Sequence, residues 1–232
     1  MKTIISDKTE LVEKAARQIC ELAASKPEAV LALPAGETVR PLYERLAALC
    51  ESGALSLKKA RIFAVTEFEN APEGLSCRAQ LEKELIEKTD AKKENCFFLT
   101  REALEGYDAR IEAEGGLDLA VLGLGHNAHI GFNEPATPFD SLTHAQKLTE
   151  TTRRQYAARF GGEEKTPQYG LTMGIKTLIS AREVMLMAFG EDKAEAAFKM
   201  LYGRNDSAVP AAFLQIPLNV TVYLDHTAAQ KL

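Results

Sequence analysis

The chain has 232 residues, 46% of them hydrophobic, and a formal net charge of −5 at pH 7. That length buries one substantial core, and the charge balance argues against the clustered basic face that nucleic-acid binding needs. No apolar run approaches a membrane span, and the opening "MKTIISDKTELVEK" lacks the apolar segment of a signal peptide, so no membrane partner and a cytoplasmic protein are expected.

In chain order, "DKTELVEKAARQICELAAS" (7–25) is the first helical pattern, with Asp7 as its cap, Glu10 three residues on and apolar residues at helical spacing. The apolar run "AVLALP" (29–34) precedes the helical "TVRPLYERLAALCES" (38–52), and "RIFAV" (61–65) precedes two more helical stretches, "SCRAQLEKELIEKT" (76–89) and "REALEGYDARIEAE" (101–114). "LDLAVLGLG" (117–125) and "EVMLMAFG" (183–190) are further apolar runs, "DKAEAAFKMLYG" (192–203) is helical, and "LNVTVYLD" (218–225) closes the series. Short apolar runs bounded by Gly, Pro or polar residues read as strands buried on both faces, as parallel strands are. Their alternation with helices predicts an α/β fold, a mostly parallel sheet with helices on both faces, as a single domain over 1–232. "GGEEKTPQYG" (161–170) is expected to be a loop within it. Cys20, Cys50, Cys77 and Cys96 form no CxxC pair, which argues against a zinc site or disulfide framework and for reduced thiols.

Ligands of open α/β sheets bind beyond the carboxyl ends of the strands, which selects three loops here. In "LPAGETVRP" (33–41) Gly36 permits a tight turn and Thr38 opens a helix whose N-terminal amides suit a phosphate, or simply cap a turn. Glu37 weakens the anion reading, because a carboxylate repels a phosphate. "VTEFENAP" (65–72) offers Thr66, Glu67 and Glu69, either solvated or catalytic. "GLGHNAHIGFNEP" (123–135) places His129 and Glu134 five residues apart on a post-strand loop, a spacing from which an imidazole and a carboxylate can converge as an acid/base pair. Arg153 and Arg154 lie in "TETTRRQYAARF", and Lys193 opens a helix where a cation is mismatched to the macrodipole unless an anionic ligand binds there.

At these residues the chain resembles the glucosamine-6-phosphate deaminase/isomerase family. The resemblance is carried by "LPAGET", "LDLAVLGLGHNAHIGFNEP", "LTETTR", "YGLTMGIKTLISAREVMLMAFGEDKA" and "VPAAFLQ", and so runs over nearly the whole length. The related 6-phosphogluconolactonases carry a similar glycine–histidine segment that does not end in "FNEP". The length and the wording "GGLDLAVLGLG" lean toward the galactosamine-6-phosphate branch. The resemblance implies a Rossmann-like doubly wound sheet and conversion of an aminosugar 6-phosphate to a ketose 6-phosphate plus ammonia, with no organic cofactor and no metal. It implies ring opening at His129 with Glu134 in support, and a phosphorylated sugar held by the loop Ala35, Gly36, Glu37 and Thr38 together with Arg153 and Lys193. A homo-oligomer is left open.

The departures are specific. The family's base, a strand-end aspartate in an Asp-Glu pair, is replaced in the pair Thr66-Glu67, and Glu67 is the expected substitute. Asn127 stands where the family has a second aspartate, Ala128 replaces a glycine, and Glu37 occupies a position usually held by Gly or Ala. The stretch "SLTHAQKL" offers His144 and Gln146 in place of the basic residues of an allosteric phosphate site, so no such regulation is expected. Thr66 and Asn127 also motivate a sugar-phosphate binding protein without turnover, and a lactonase-like hydrolase is a third reading.

Overall fold

The computed structural model describes residues 1–232. Ten strands and seven α-helices follow in chain order: β1 Lys2–Ser6, α1 Lys8–Ser25, β2 Val30–Leu33, α2 Arg40–Glu51, β3 Arg61–Ala64, β4 Thr66–Phe68, α3 Cys77–Glu84, β5 Cys96–Phe97, α4 Leu104–Ala113, β6 Leu119–Gly123, β7 His144–Lys147, α5 Glu150–Phe160, β8 Tyr169–Thr172, α6 Ile175–Ile179, β9 Glu183–Ala188, α7 Ala194–Tyr202 and β10 Val220–Asp225. Seven strands form one sheet in the order β1-β10-β9-β6-β2-β3-β5, with every neighbouring pair parallel. All five apolar runs are strands of this sheet, and the expected α/β class with helices on both faces is what the chain adopts. No helix is long and apolar enough to cross a membrane.

Alternation along the strands divides the core between the faces. Leu31, Leu33, Ile62, Leu119, Val121, Met185 and Met187 pack toward α1, α2 and α3. Their neighbours in sequence, Ala32, Phe63, Ala120, Leu122, Val184 and Leu186, pack on the other face with Tyr107 and Ile111 of α4 and Ala197 and Met200 of α7. Each fully buried Val, Leu or Met contributes about 1.5–3 kcal/mol. At the amino ends of the strands, the buried Asp118 carboxylate accepts from the Val30 amide at 2.8 Å and pairs with Lys26 and Arg182. Burial raises its pKa, but those partners outweigh burial and hold it below the usual range.

Helix starts follow local chemistry. Asp7 accepts from the Glu10 amide at 2.9 Å, as the capping pattern requires, and Ser76 caps α3 by accepting from Ala79. Thr38 does not open α2, which begins at Arg40 after a turn through Val39. The segment 161–170 is loop with a short 3-10 turn, Glu163–Lys165, until β8 begins at Tyr169.

A second, antiparallel sheet in the order β4-β8-β7 stands beyond the carboxyl ends of the main strands. The chain leaves β3 at Ala64, and β4 pairs Thr66 with Thr172 and Glu67 with Leu171. Phe68, Phe132 and Phe160 pack together behind this small sheet, with the Phe68 and Phe132 rings 4.8 Å apart between centroids. Its first strand brings Thr66 to the cleft described next.

Candidate active site

A cleft of about 720 Å³ opens at the carboxyl ends of β2, β3, β6 and β9, where the loop rule places a ligand. Its floor is the turn after β6. Gly125 donates its amide to the His129 carbonyl at 3.0 Å, and the Ala128 amide donates to the Gly125 carbonyl at 3.0 Å, folding residues 125–129 back on themselves. Ala128 closes that turn at φ 62°, in the left-handed region where a side chain costs about 1–2 kcal/mol.

The turn places the His129 ring, 3% exposed, directly beneath Gly125. A Cβ at 125 would lie 2.4 Å from Nε2 and Cε1 of that ring, so only glycine leaves room for the Nε2 edge beside the cleft. The opposite nitrogen, Nδ1, lies 3.2 Å from the Thr152 hydroxyl and 3.7 Å from Glu134 Oε2. The Glu134 carboxylate is buried and accepts from the Asn127 amide at 2.7 Å, the Thr149 backbone N–H at 3.0 Å and the Thr149 hydroxyl at 3.2 Å. Burial alone would raise its pKa. The neighbouring His129 ring and the donors at the start of α5 outweigh burial and bring it down to about 2. Asn127 also accepts from the His129 backbone N–H, at 3.3 Å, and so stitches the histidine turn to the carboxylate. His129, Glu134 and Asn127, singled out in the sequence, therefore form one connected group.

The loop after β2 supplies donors at the rim. The backbone N–H groups of Ala35, Gly36, Glu37 and Thr38 make no hydrogen bond within the chain, and these residues line the cleft ahead of α2. Glu37 turns outward, with its side chain 78% exposed and paired with Arg40 at 2.7 Å. Its carboxylate is thereby compensated by a cation. From the far side comes Lys193, buried at the start of α7, with Nζ 3.3 Å from Asp192. Burial draws its pKa below the usual lysine value, opposed by Asp192.

Two expectations need correction. Thr66 faces the cleft, but Glu67, its neighbour on a strand, points the other way. Its carboxylate accepts from the backbone N–H groups of Phe68, Cys77 and Arg78 at 2.7, 2.8 and 2.9 Å, capping α3, so it is not placed as a substitute base. Cys77 is no substitute either, because burial and then the Glu67 charge push its thiol up to about 12. Arg153 is not at the cleft, and its guanidinium donates to the Glu163 carbonyl at 2.6 Å. Two arginines line the cleft: Arg40, paired with Glu37 and Glu84, and Arg159, which also donates to the carbonyls of Leu75 and Ser76. Residues Thr152, Tyr156, Arg159 and Phe160 fall at i, i+4, i+7 and i+8, one face of α5, and that spacing was the available signal for Arg159. His126 and Asp192 also line the cleft and were not anticipated. No three His, Cys, Asp or Glu side chains converge as a metal-ligand set.

A buried His–Glu pair beneath a cleft, flanked by free amides and cations, can move protons on a bound molecule while holding its anionic group. Comparison with known proteins identifies the family. The family model of the glucosamine-6-phosphate isomerases/6-phosphogluconolactonase matches residues 6–223. The glucosamine-6-phosphate deaminase of Bacillus velezensis is 38% identical over 95% of both chains, and glucosamine-6-phosphate deaminase 2 of Giardia intestinalis is 36% identical over 98% of this chain and 90% of its own. A solved structure of a monomeric glucosamine-6-phosphate deaminase superposes with a TM-score of 0.96 over the whole of both chains at 32% identity. The 6-phosphogluconolactonase of Trypanosoma brucei shares the fold, with a TM-score of 0.76 at 22% identity over 100% of this chain and 99% of its own. With the match running from the end of β1 into β10, and the histidine turn and cleft loops inside it, the chain belongs to the glucosamine-6-phosphate isomerase/6-phosphogluconolactonase family.

Proposed function

We propose that the chain converts an aminosugar 6-phosphate to the ketose 6-phosphate with release of ammonia. The observation that carries this reading is the His129–Glu134–Asn127 group packed under Gly125, a glycine that lines the same cleft as the free amides of 35–38. Those amides, Lys193 and Arg159 hold the phosphate. His129, kept in orientation by Glu134 and Thr152, takes the proton from the sugar's anomeric hydroxyl and returns one to the ring oxygen, opening the ring.

In the open chain the C2 proton leaves to a base, its electron pair forms C1=C2, and the carbonyl oxygen takes a proton to give an enolamine. Protonation at C1 then leaves an iminium at C2, to which water adds as ammonia departs. The C2 step needs a base, and Thr66 stands at the cleft wall with a hydroxyl of no useful basicity. A slower enzyme is therefore expected than one with a carboxylate there, by about 10²–10⁴-fold.

The named relatives are glucosamine-6-phosphate deaminases, which favours glucosamine 6-phosphate over the galactosamine epimer as substrate. A second reading, a sugar-phosphate binding protein without turnover, is favoured by Thr66 together with the occupied Glu67 carboxylate. Ammonia release from purified protein separates the two. Sustained release supports the enzyme, and tight binding without release supports the receptor.

A further inference from the structure

His126 and Asp192 come from different strand ends, the loop after β6 and the turn after β9, sixty-six residues apart. Their side chains meet in the cleft, with His126 Nε2 2.6 Å from Asp192 Oδ2. The imidazole is 37% and the carboxylate 56% exposed, and the other ring nitrogen, Nδ1, makes no hydrogen bond within the chain. An imidazole fixed through one nitrogen by a carboxylate, with the second left free toward a ligand cleft, is a prepared hydrogen-bonding device.

Its position relative to the substrate follows from the groups on either side. Asp192 lies 3.3 Å from Lys193 Nζ, so the pair sits beside the cation assigned to the C6 phosphate. On its other side His126 adjoins Gly125, beneath which the His129 ring acts at the ring oxygen and C1. The pair thus stands between the two ends of the sugar, close to the phosphate arm. Of the ring hydroxyls, the one on C4 lies nearest that arm, since C4 is joined to C6 through C5 alone.

We infer that His126, oriented by Asp192, hydrogen-bonds the C4 hydroxyl of the sugar and sets the preference between gluco and galacto epimers, which differ only there. This rests on the proposed sugar-phosphate site and deepens it by naming the residues that read the substrate. The His126 Nδ1 and the second Asp192 oxygen offer partners to a hydroxyl in one orientation. The epimeric hydroxyl points elsewhere and leaves its own desolvation uncompensated.

The test uses two ligands that cannot isomerise, the 2-amino-2-deoxyalditol 6-phosphates of gluco and galacto configuration. Calorimetry gives the ratio of their dissociation constants for the parent chain, His126→Ala and Asp192→Asn. The ratio cancels any shared loss from phosphate binding or folding. The inference expects the parent to separate the epimers by about tenfold or more, and both variants to bring the ratio to within about threefold while each still binds. An unchanged ratio in the variants, a parent that does not separate the epimers, or a parent that binds neither would overturn it. Ammonia release by the parent is measured alongside. Binding that discriminates without ammonia would sink the enzymatic reading and leave the epimer reader standing, whereas ammonia release with an unchanged ratio would do the reverse.

Discussion

The Glu67 carboxylate and the Cys77 backbone N–H, ten residues apart, meet at 2.8 Å where α3 begins. The adjoining Arg78 amide donates to the second oxygen at 2.9 Å. A side chain from the small sheet therefore does the work of a helix cap, tying β4 to α3. Glu67→Gln is expected to destabilise the fold by about 1–2 kcal/mol, a fall of roughly 2–8 °C in Tm. Thermal unfolding checks this. Unchanged Tm with turnover abolished would instead return the role of base to Glu67.

Thr66→Asp puts a carboxylate at the cleft wall where proton transfer at C2 lacks a base. Turnover is expected to rise by about 10²-fold or more. The readout is ammonia release under saturating substrate, with deuterium exchange at C2 as a companion. A folded variant no faster than the parent would show that the C2 proton is handled from somewhere else.

Arg159 and Arg153 sit on the same helix, and only Arg159 lines the cleft. Arg159→Ala is expected to raise KM by about 10–100-fold, the effect of a charged hydrogen bond to phosphate. Arg153→Ala should leave KM within about threefold of the parent. Steady-state kinetics on both variants decide it, and the opposite ranking would place the phosphate near Glu163 rather than in the cleft.

Glu134 ties stability to pH. Its pKa falls from 4.5 to about 2 on folding, so the folded state favours the carboxylate. The stabilisation, roughly 3 kcal/mol at most, is complete above the unfolded value and is lost as pH falls from about 5 toward 2. Glu134→Gln should be less stable at neutral pH and should lose less over that range. Urea unfolding between pH 7 and 3 tests this, and parallel slopes for parent and variant would contradict it.

Much of the fold was legible because buried parallel strands announce themselves as apolar runs, and each of the five lies in the main sheet. The small sheet was not. Thr66–Phe68 runs on from β3 with a single residue between, and His144–Lys147 is polar but for Ala145. At the site, His129, Glu134 and Asn127 were readable because one short segment, residues 127–134, carries them all. Arg159 was obscured by the paired arginines earlier on its helix. His126 and Asp192 were hidden for a topological reason, since β6 and β9 become neighbours only in the sheet. Glu67 shows the limit of reading a role from a motif, as strand alternation and the start of α3 decide where its carboxylate points.

The most direct measurement is ammonia and ketose 6-phosphate formation from glucosamine 6-phosphate by the parent chain beside His129→Asn. Continuous formation by the parent, with the variant reduced by about 10²-fold or more, is the result this account expects. Equal background rates in both, with sugar-phosphate binding still seen by calorimetry, would contradict it and make the cleft a receptor.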